Sequence, residues 1–358
     1  MTDNAETMTT TADKANGFAL WRPLLLSIAP VVAALVVSGL ILMAAGGNPF
    51  SYYAYIVERG LFRPSGFQAT LVYAIPMLII GAALIVSFRA GLWNLGIDGQ
   101  VLVGTLAAGI VGPWLADRMH FGFALILTMV IASAVGALWA VPMAALKAYQ
   151  GINEVISGLM MSFLATSLCS AIIKLAAGDP ASLSPQTYSL AVEHRLPRMF
   201  GSNVNIGIVI ALVVIIGCHL MMTRTAFGLK LRLMGLNPRS ARHVGLAVPN
   251  LTLVTMCLSG ALGGLAGAID VVGVLGNMQA IWNPGYGFAV VPLVFLARLN
   301  GFAVIIFIFV FSVLHVGSAS AATRLGIPQD FTLVLVGLLL AFLALAEFAD
   351  QRLNTKKG

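Results

Sequence analysis

Charge is what this chain has little of. Asp, Glu, Lys and Arg make up 9% of its 358 residues, against about 25% in an ordinary soluble domain. With 59% apolar side chains and a mean hydropathy of +0.96, there is too little polar material to cover a water-facing surface. Lipid must solvate most of the chain. A soluble enzyme, a nucleic-acid-binding module and a disordered scaffold are thereby excluded. Cysteine is scarce as well. Cys169, Cys218 and Cys257 lie in apolar runs without CxxC spacing, so they read as small packed side chains and not as a metal site or disulfide framework. The GxxxxGK[ST] phosphate loop is missing, which denies the chain that mode of ATP binding. Gly285-Tyr286-Gly287 lacks the third glycine of a dinucleotide site. HExxH and GxSxG are absent too, and the five histidines are scattered, so catalysis has no constellation to work with.

What is there is a succession of apolar runs of about 20 residues, the length a helix needs to cross a bilayer. They fall near 24–45, 67–87, 98–116, 122–146, 152–176, 204–222, 250–273, 301–320 and 331–347. A shorter run, 287–297, lies between Pro284-Gly285 and Arg298 and reads as a short or re-entrant helix. None alternates with the period of two that a membrane barrel requires. The expected fold is therefore an all-α polytopic membrane protein of about ten transmembrane helices. Residues 1–22 read as a polar, disordered tail, 23–348 as the membrane domain and 349–358 as a second tail.

Basic residues give the orientation. Ten spans with both termini cytoplasmic leave seven of the 20 Lys and Arg outside: Arg59, Arg63, Arg118, Lys174, Arg195, Arg198 and Arg324. The other 13 fall inside, as the positive-inside rule prefers. The formal net charge of +7 thus follows from topology and is no sign of nucleic acid. The densest basic loop, 223–249, is expected on the cytoplasmic side. Within it Asn237 suits an N-cap, Pro238 the first helical position and Gly245 the position just past a helix end. A helix of about two turns over Pro238–Val244 follows, too short to be stable without a partner. Ahead of it, Gly228 to Leu233 mixes apolar and basic positions like a segment near the membrane surface.

Four further stretches interrupt the apolar pattern. Phe88 to Gln100 (FRAGLWNLGIDGQ) is either a plain turn or a tight re-entry into the membrane. Gly151 to Ser157 (GINEVIS) opens a span, with Asn153 and Glu154 as helix cap and dipole complement or as something more. From Ser259 to Asp270, the spacings Gly260/Gly264 and Gly263/Gly267 make a close-packing face, and Asp270 is an acid at membrane depth that needs a partner or a cavity. Gly276 to Phe288 gathers Asn277, Gln279, Trp282, Asn283 and Tyr286, readable as an interfacial belt or as part of a ligand site. Trp93, Asn94, Asp98, Gln100, Asn153 and Glu154 sit at breaks in apolar runs, where polar groups facing lipid are costly. They are therefore expected around a solute path. The alternatives are structural: Glu154 as a terminal helix charge, Asp98 paired with Arg89.

FRAGLWNLGIDGQ, GINEVIS and GLKLRLMGLNPRSARHVG (228–245), in that order and with the small-residue run 259–270, resemble the permease subunits of ABC importers over about residues 30–345. The branch is that for simple sugars and nucleosides, related to the ribose and branched-chain amino-acid permeases. The resemblance implies a bundle that pairs with a second permease subunit, alike or different, around a central path. It implies a multi-pass protein of the bacterial cytoplasmic (inner) membrane and an extracytoplasmic solute-binding protein that delivers the solute. It also implies that the chain itself holds no cofactor and that ATP is used by a separate ATP-binding subunit. That subunit would dock on the loop carrying Gly228, Arg232, Gly235, Asn237, Pro238, Arg239, Arg242 and Gly245. A nucleoside or related solute is expected, with a monosaccharide as the alternative. From another class, an ion-coupled carrier would use Asp98, Glu154 or Asp270. The sequence departs from the family twice: Asp98 stands where Glu is common, and Ala289-Val290-Val291-Pro292-Leu293 replaces an acid and small residues.

Overall fold

The computed structural model describes residues 28–44, 46–199 and 201–325, with 331, 334, 337, 338, 341, 342, 345 and 346 beyond them. The tails 1–22 and 349–358, and most of the apolar run 331–347, lie outside the described residues. In chain order the helices are α1 (Ile28–Ala44), α2 (Pro49–Val57), α3 (Pro64–Arg89), α4 (Ile97–Ala116), α5 (Phe121–Gln150) and α6 (Glu154–Ile172). There follow α7 (Gly207–Arg224), α8 (Ala226–Leu236), α9 (Pro238–His243), α10 (Val248–Asp270), α11 (Tyr286–Leu296) and α12 (Gly301–Leu325). Among the described residues extended pairing is confined to two isolated bridges, Gln186 with Gln279 and Arg198 with Asn205. The protein is all-helical.

Among the described residues seven helices are long and apolar enough to cross a membrane: α3, α4, α5, α6 with its π-turn extension to Ala177, α7, α10 with its extension to Leu275, and α12. They coincide with seven of the runs read from the sequence. α1 and α11 are apolar but shorter. The 11 residues of α11 rise about 16 Å at ~1.5 Å each, roughly half of a ~30 Å hydrocarbon core. The short run expected at 287–297 is this helix.

Two compact units emerge: Gly60–Val316, and the flanking segments Met1–Arg59 with Gly317–Gly358. In the flanking unit the Tyr53 hydroxyl donates to the Leu35 carbonyl at 2.9 Å and shares a 2.7 Å hydrogen bond with Ser38 Oγ. That ties α2 to α1. In the larger unit α10 packs along α5, α4 and α3. The most apolar stretch of α3 is 83% buried and that of α5 only 28%, so α3 belongs to the interior and α5 turns one face outward. Large side chains on that outward face, among them Ile126, Val130 and Leu138, are what lipid would solvate.

The glycines of α10 explain how the helices come so close. A Cβ on Gly260 would lie 2.6 Å from the Gly136 carbonyl oxygen, and one on Gly136 would lie 2.8 Å from Gly264 Cα. On another side Gly264 meets Gly104 of α4, and Gly263 and Gly267 rest on Ile97, Gln100, Val101 and Thr105. In lipid, where apolar surface gains little by meeting apolar surface, such backbone approach is what holds helices together. The partner glycines on α4 and α5 were not singled out by sequence spacing.

Candidate functional site

The basic loop 223–249 folds as two short helices. Thr225 caps α8 by accepting the Gly228 N–H, and Asn237 Oδ1 accepts the Arg239 and Ser240 N–H groups at 3.0 and 3.1 Å to open α9. Gly245 takes a positive φ of 82° just beyond the end, where most side chains would strain. The helix expected at Pro238–Val244 is observed at Pro238–His243. Ala241 is buried, while Arg239 and Arg242 are exposed. Exposed Leu229, Leu233, Leu236 and Val244 stand among them, an apolar surface rimmed with cations.

Not every residue of this loop faces outward. A Cβ on Gly235 would lie 2.5 Å from the Arg89 carbonyl oxygen and 2.9 Å from the Gly91 nitrogen. Gly228 rests on Met221 and Met222 of α7, and Arg232 Nε is buried without a hydrogen-bond partner. Gly235 is therefore a contact with the chain's own Arg89–Gly91 turn. The turn itself goes on into the protein: Gly91 has a φ of 71°, and Leu92, Asn94 and Ile97 are buried. Phe88 to Gln100 is thus a tight, largely buried connection that leaves Gly91 and Trp93 exposed, and not a solvated turn.

From that connection the contacts run to α11. Arg89 Nη2 donates to the Leu299 carbonyl at 3.0 Å, across a turn in which Arg298 and Leu299 both have positive φ, 50° and 59°. For non-glycine residues each such conformation costs about 1–3 kcal/mol and needs its surroundings to hold it. Phe295 near the end of α11 stacks on Phe88 at 4.9 Å and lies 5.2 Å from Trp93. At the start of α11, Gly285 has a φ of 63° and Asp98 Oδ1 accepts the Gly287 N–H at 2.7 Å. A carboxylate there satisfies an orphan donor and complements the helix dipole. A Cβ on Gly287 would come within 2.8 Å of Asp98 Oδ2, so this carboxylate contact needs the glycine.

The sequence-derived path residues separate into distinct roles. Asn94 donates to Gln100 Oε1 at 2.9 Å and to Ser259 Oγ at 2.8 Å, and Gln100 donates back to Asn94 Oδ1 at 3.1 Å. Asn94, Gln100 and Ser259 are fully buried. Glu154 pairs with Lys147 at 2.7 Å and accepts the Trp93 backbone N–H at 3.4 Å. Asn153 is exposed and caps α6 through the Val155 N–H. Trp93 and Glu154 are thus brought together, and Asn94 with Gln100. Asp98 turns to Gly287, and Arg89 to Leu299, so the Asp98–Arg89 pair that stood as an alternative is not formed. Arg89 and Asp98 sit at opposite ends of α11, each engaged by the backbone at its own end.

Sequence reasoning missed Tyr73 and His315. Their rings stack at 4.1 Å with an 8° interplanar angle, and Tyr73 meets Tyr286 edge-on at 5.6 Å. An ionisable His315 inside the apolar run 301–320 was the available signal. Also missed were Arg195 and Asn205, which hold the π-turn Val271–Leu275: Arg195 donates to the Val274 carbonyl at 3.0 Å and Asn205 to the Gly273 carbonyl at 3.1 Å. Among the described residues no cluster of three or more His, Cys, Asp or Glu is placed to hold a metal.

The sequence profile of the family described as "Branched-chain amino acid transport system / permease component" matches residues 66–344. A glucose ABC transporter permease of Haloferax volcanii is 30% identical over 331 residues, covering 89% of this chain and 86% of its own. A guanosine ABC transporter permease of Bacillus subtilis is 26% identical over 328 residues, 90% of this chain and 93% of its own. A second guanosine permease of the same organism is 26% identical over 235 residues, 63% of this chain and 73% of its own.

Proposed function

The chain belongs to the branched-chain amino acid transport system permease family, and from that premise we propose that it carries a nucleoside-type solute across the cytoplasmic membrane as one permease subunit of an ATP-driven importer. The observation that carries the coupling half of this reading is the capped α8–α9 pair. It presents exposed leucines and arginines outward, on a chain with no phosphate loop of its own. An ATP-binding subunit is the partner such a surface needs. Two guanosine permeases from one organism both resemble this chain, which favours a second, different permease beside it. A solute-binding protein would supply the outer face.

The proposed mechanism follows the contacts. Movement of α9 and α8 presses Gly235 on the Arg89–Gly91 turn. Arg89, Phe88 and Trp93 pass the displacement to Leu299 and Phe295. α11 is a rod about three turns long on its 11 residues, so its other end shifts Tyr286 and Gly287 against Asp98 and α10. Such a lever converts the state of the ATPase into one of two arrangements of the solute path.

Uptake of labelled guanosine by cells carrying the whole transporter is the test. We expect uptake that stops with vanadate and survives a protonophore; the reverse pattern would establish an ion-coupled carrier. Of the three acids that rival could use, Asp98 and Glu154 are engaged by Gly287 and Lys147. Competition by glucose but by no nucleoside would establish the monosaccharide reading, which the Haloferax relative favours.

The docking role has its own test. Arg242→Glu reverses an exposed charge without touching the bundle, so membrane levels should stay normal. Uptake is expected to fall about tenfold, the scale on which an interfacial charge reversal acts. Unchanged uptake at normal levels would return 223–249 to an ordinary solvated loop.

A further inference from the structure

We propose that Asp270 and Tyr286 read the donor edge of a 6-oxopurine base, the base itself lying against the stacked Tyr73–His315 pair. This rests on the nucleoside reading above and names the kind of nucleoside. Asp270 is 6% exposed, and its Oδ2 is buried with no hydrogen-bond partner. An acceptor held in that condition at membrane depth is costly and is kept where a ligand or a moving partner satisfies it.

What surrounds the orphan oxygen gives the ligand's chemistry. The Tyr286 hydroxyl lies beside the same carboxylate and has lone pairs with which to accept. Asp270 Oδ2 and Tyr286 Oη therefore form two neighbouring acceptors. Guanine presents two neighbouring donors, N1–H and the 2-amino group; hypoxanthine presents N1–H alone; adenine offers an acceptor at N1. An ionised carboxylate is acceptor-only, so it suits guanine and repels the adenine N1 lone pair. The flat Tyr73–His315 stack and the Tyr286 edge supply the aromatic faces on which a base packs. Trp282 lies 6.4 Å from Tyr286.

The placement suits a gated site. Asp270 is the last residue of α10 before the chain widens into the π-turn Val271–Leu275, a distortion that recurs at functional sites. Tyr286 is the first residue of α11, the rod proposed above to move. Oδ2 is closed off while α11 stays in place, so the base reaches it when α11 shifts.

The experiment is uptake of guanosine, inosine and adenosine by the whole transporter, with Asp270→Asn compared to wild type at matched membrane levels. Wild type is expected to prefer guanosine over inosine over adenosine. Asp270→Asn keeps the size of the side chain and an oxygen for Tyr286. Its amide presents a donor and an acceptor, which match adenine N1 and its 6-amino group. The guanosine-to-adenosine ratio is expected to fall at least about tenfold, as when a recognising acceptor is replaced. An unchanged ratio in a transporter that does carry guanosine would overturn the proposal and leave the nucleoside reading standing. Uptake of none of the three by wild type would instead remove the nucleoside reading itself. Should Asp270→Asn not accumulate, Tyr286→Phe keeps the ring and loses the second acceptor. It is expected to raise the guanosine KM while sparing adenosine, and equal effects on both would equally overturn the assignment.

Discussion

Gly264→Leu is expected to leave no extractable, folded protein, while Gly217→Leu is expected to behave as wild type. A Cβ at Gly264 would meet the Ala132 carbonyl oxygen, and it would stand 3.1 Å from Ser133 Cα. Neither is the end of a flexible side chain that can swing away. The same residue closes on Gly104 from the other side, so α10 cannot retreat from α5 without losing α4. Overpacking a well-packed core usually costs about 1–3 kcal/mol. Here three backbones must separate, and the loss of close approach removes the packing that holds helices together in lipid. At Gly217, by contrast, an added Cβ meets nothing within 4 Å. Monodisperse yield after detergent extraction, followed by thermal unfolding, measures both. A stable Gly264→Leu protein would show that the α4–α5–α10 contact is not what sets the bundle.

Asn94→Ala is expected to lower stability by about 2–4 kcal/mol and to leave the KM of the surviving transporter unchanged. Asn94 links the connection after α3 to α4 through Gln100 and to α10 through Ser259, and Ser259 in turn donates to the Ala83 carbonyl of α3. Truncation strands a donor and an acceptor on Gln100 with only Met143 Sδ nearby at 3.7 Å. Each buried polar group left unpaired costs about 1–3 kcal/mol. Asn153→Ala is the contrast. It removes an exposed N-cap, worth about 1 kcal/mol, and α6 keeps its Glu154–Lys147 pair. Thermal unfolding in detergent separates the two, and uptake kinetics per folded molecule check the second half. Normal stability of Asn94→Ala with an altered KM would place Asn94 on the solute path after all.

These two residues also show what the sequence could and could not disclose. Apolar run length located, among the described residues, seven helices long enough to cross a membrane, because bilayer thickness imposes a length that composition alone reveals. Asn237, Pro238 and Gly245 located α9 because capping is local: the residues that satisfy a helix end sit within a few positions of it. The stripe Gly260–Gly267 was legible as a packing face for the same reason, through its own helical period. Its partners Gly104 and Gly136 were not, since which helix meets which depends on topology that spacing does not encode. Asn94 was recognisable as a polar residue that needs a partner, but its partner Ser259 lies 165 positions away. Gly235 was legible as a place of close backbone approach in the coupling loop, but only the fold shows that it meets the Arg89–Gly91 turn. Tyr73, Tyr286, His315 and Asp270 come from four separate segments, and no pattern along the chain joins them.

The double anchoring of α11 fixes its length as well as its position. One added or removed residue rotates everything beyond it by about 100° and shifts it by ~1.5 Å. With Gly287 held to Asp98 at one end and Leu299 to Arg89 at the other, no such phase change can be absorbed. Phe295 would turn away from Phe88, and the left-handed pair Arg298–Leu299 would lose the hydrogen bond that holds it. An insertion or deletion between Gly287 and Leu299 is therefore expected to release one anchor or the other.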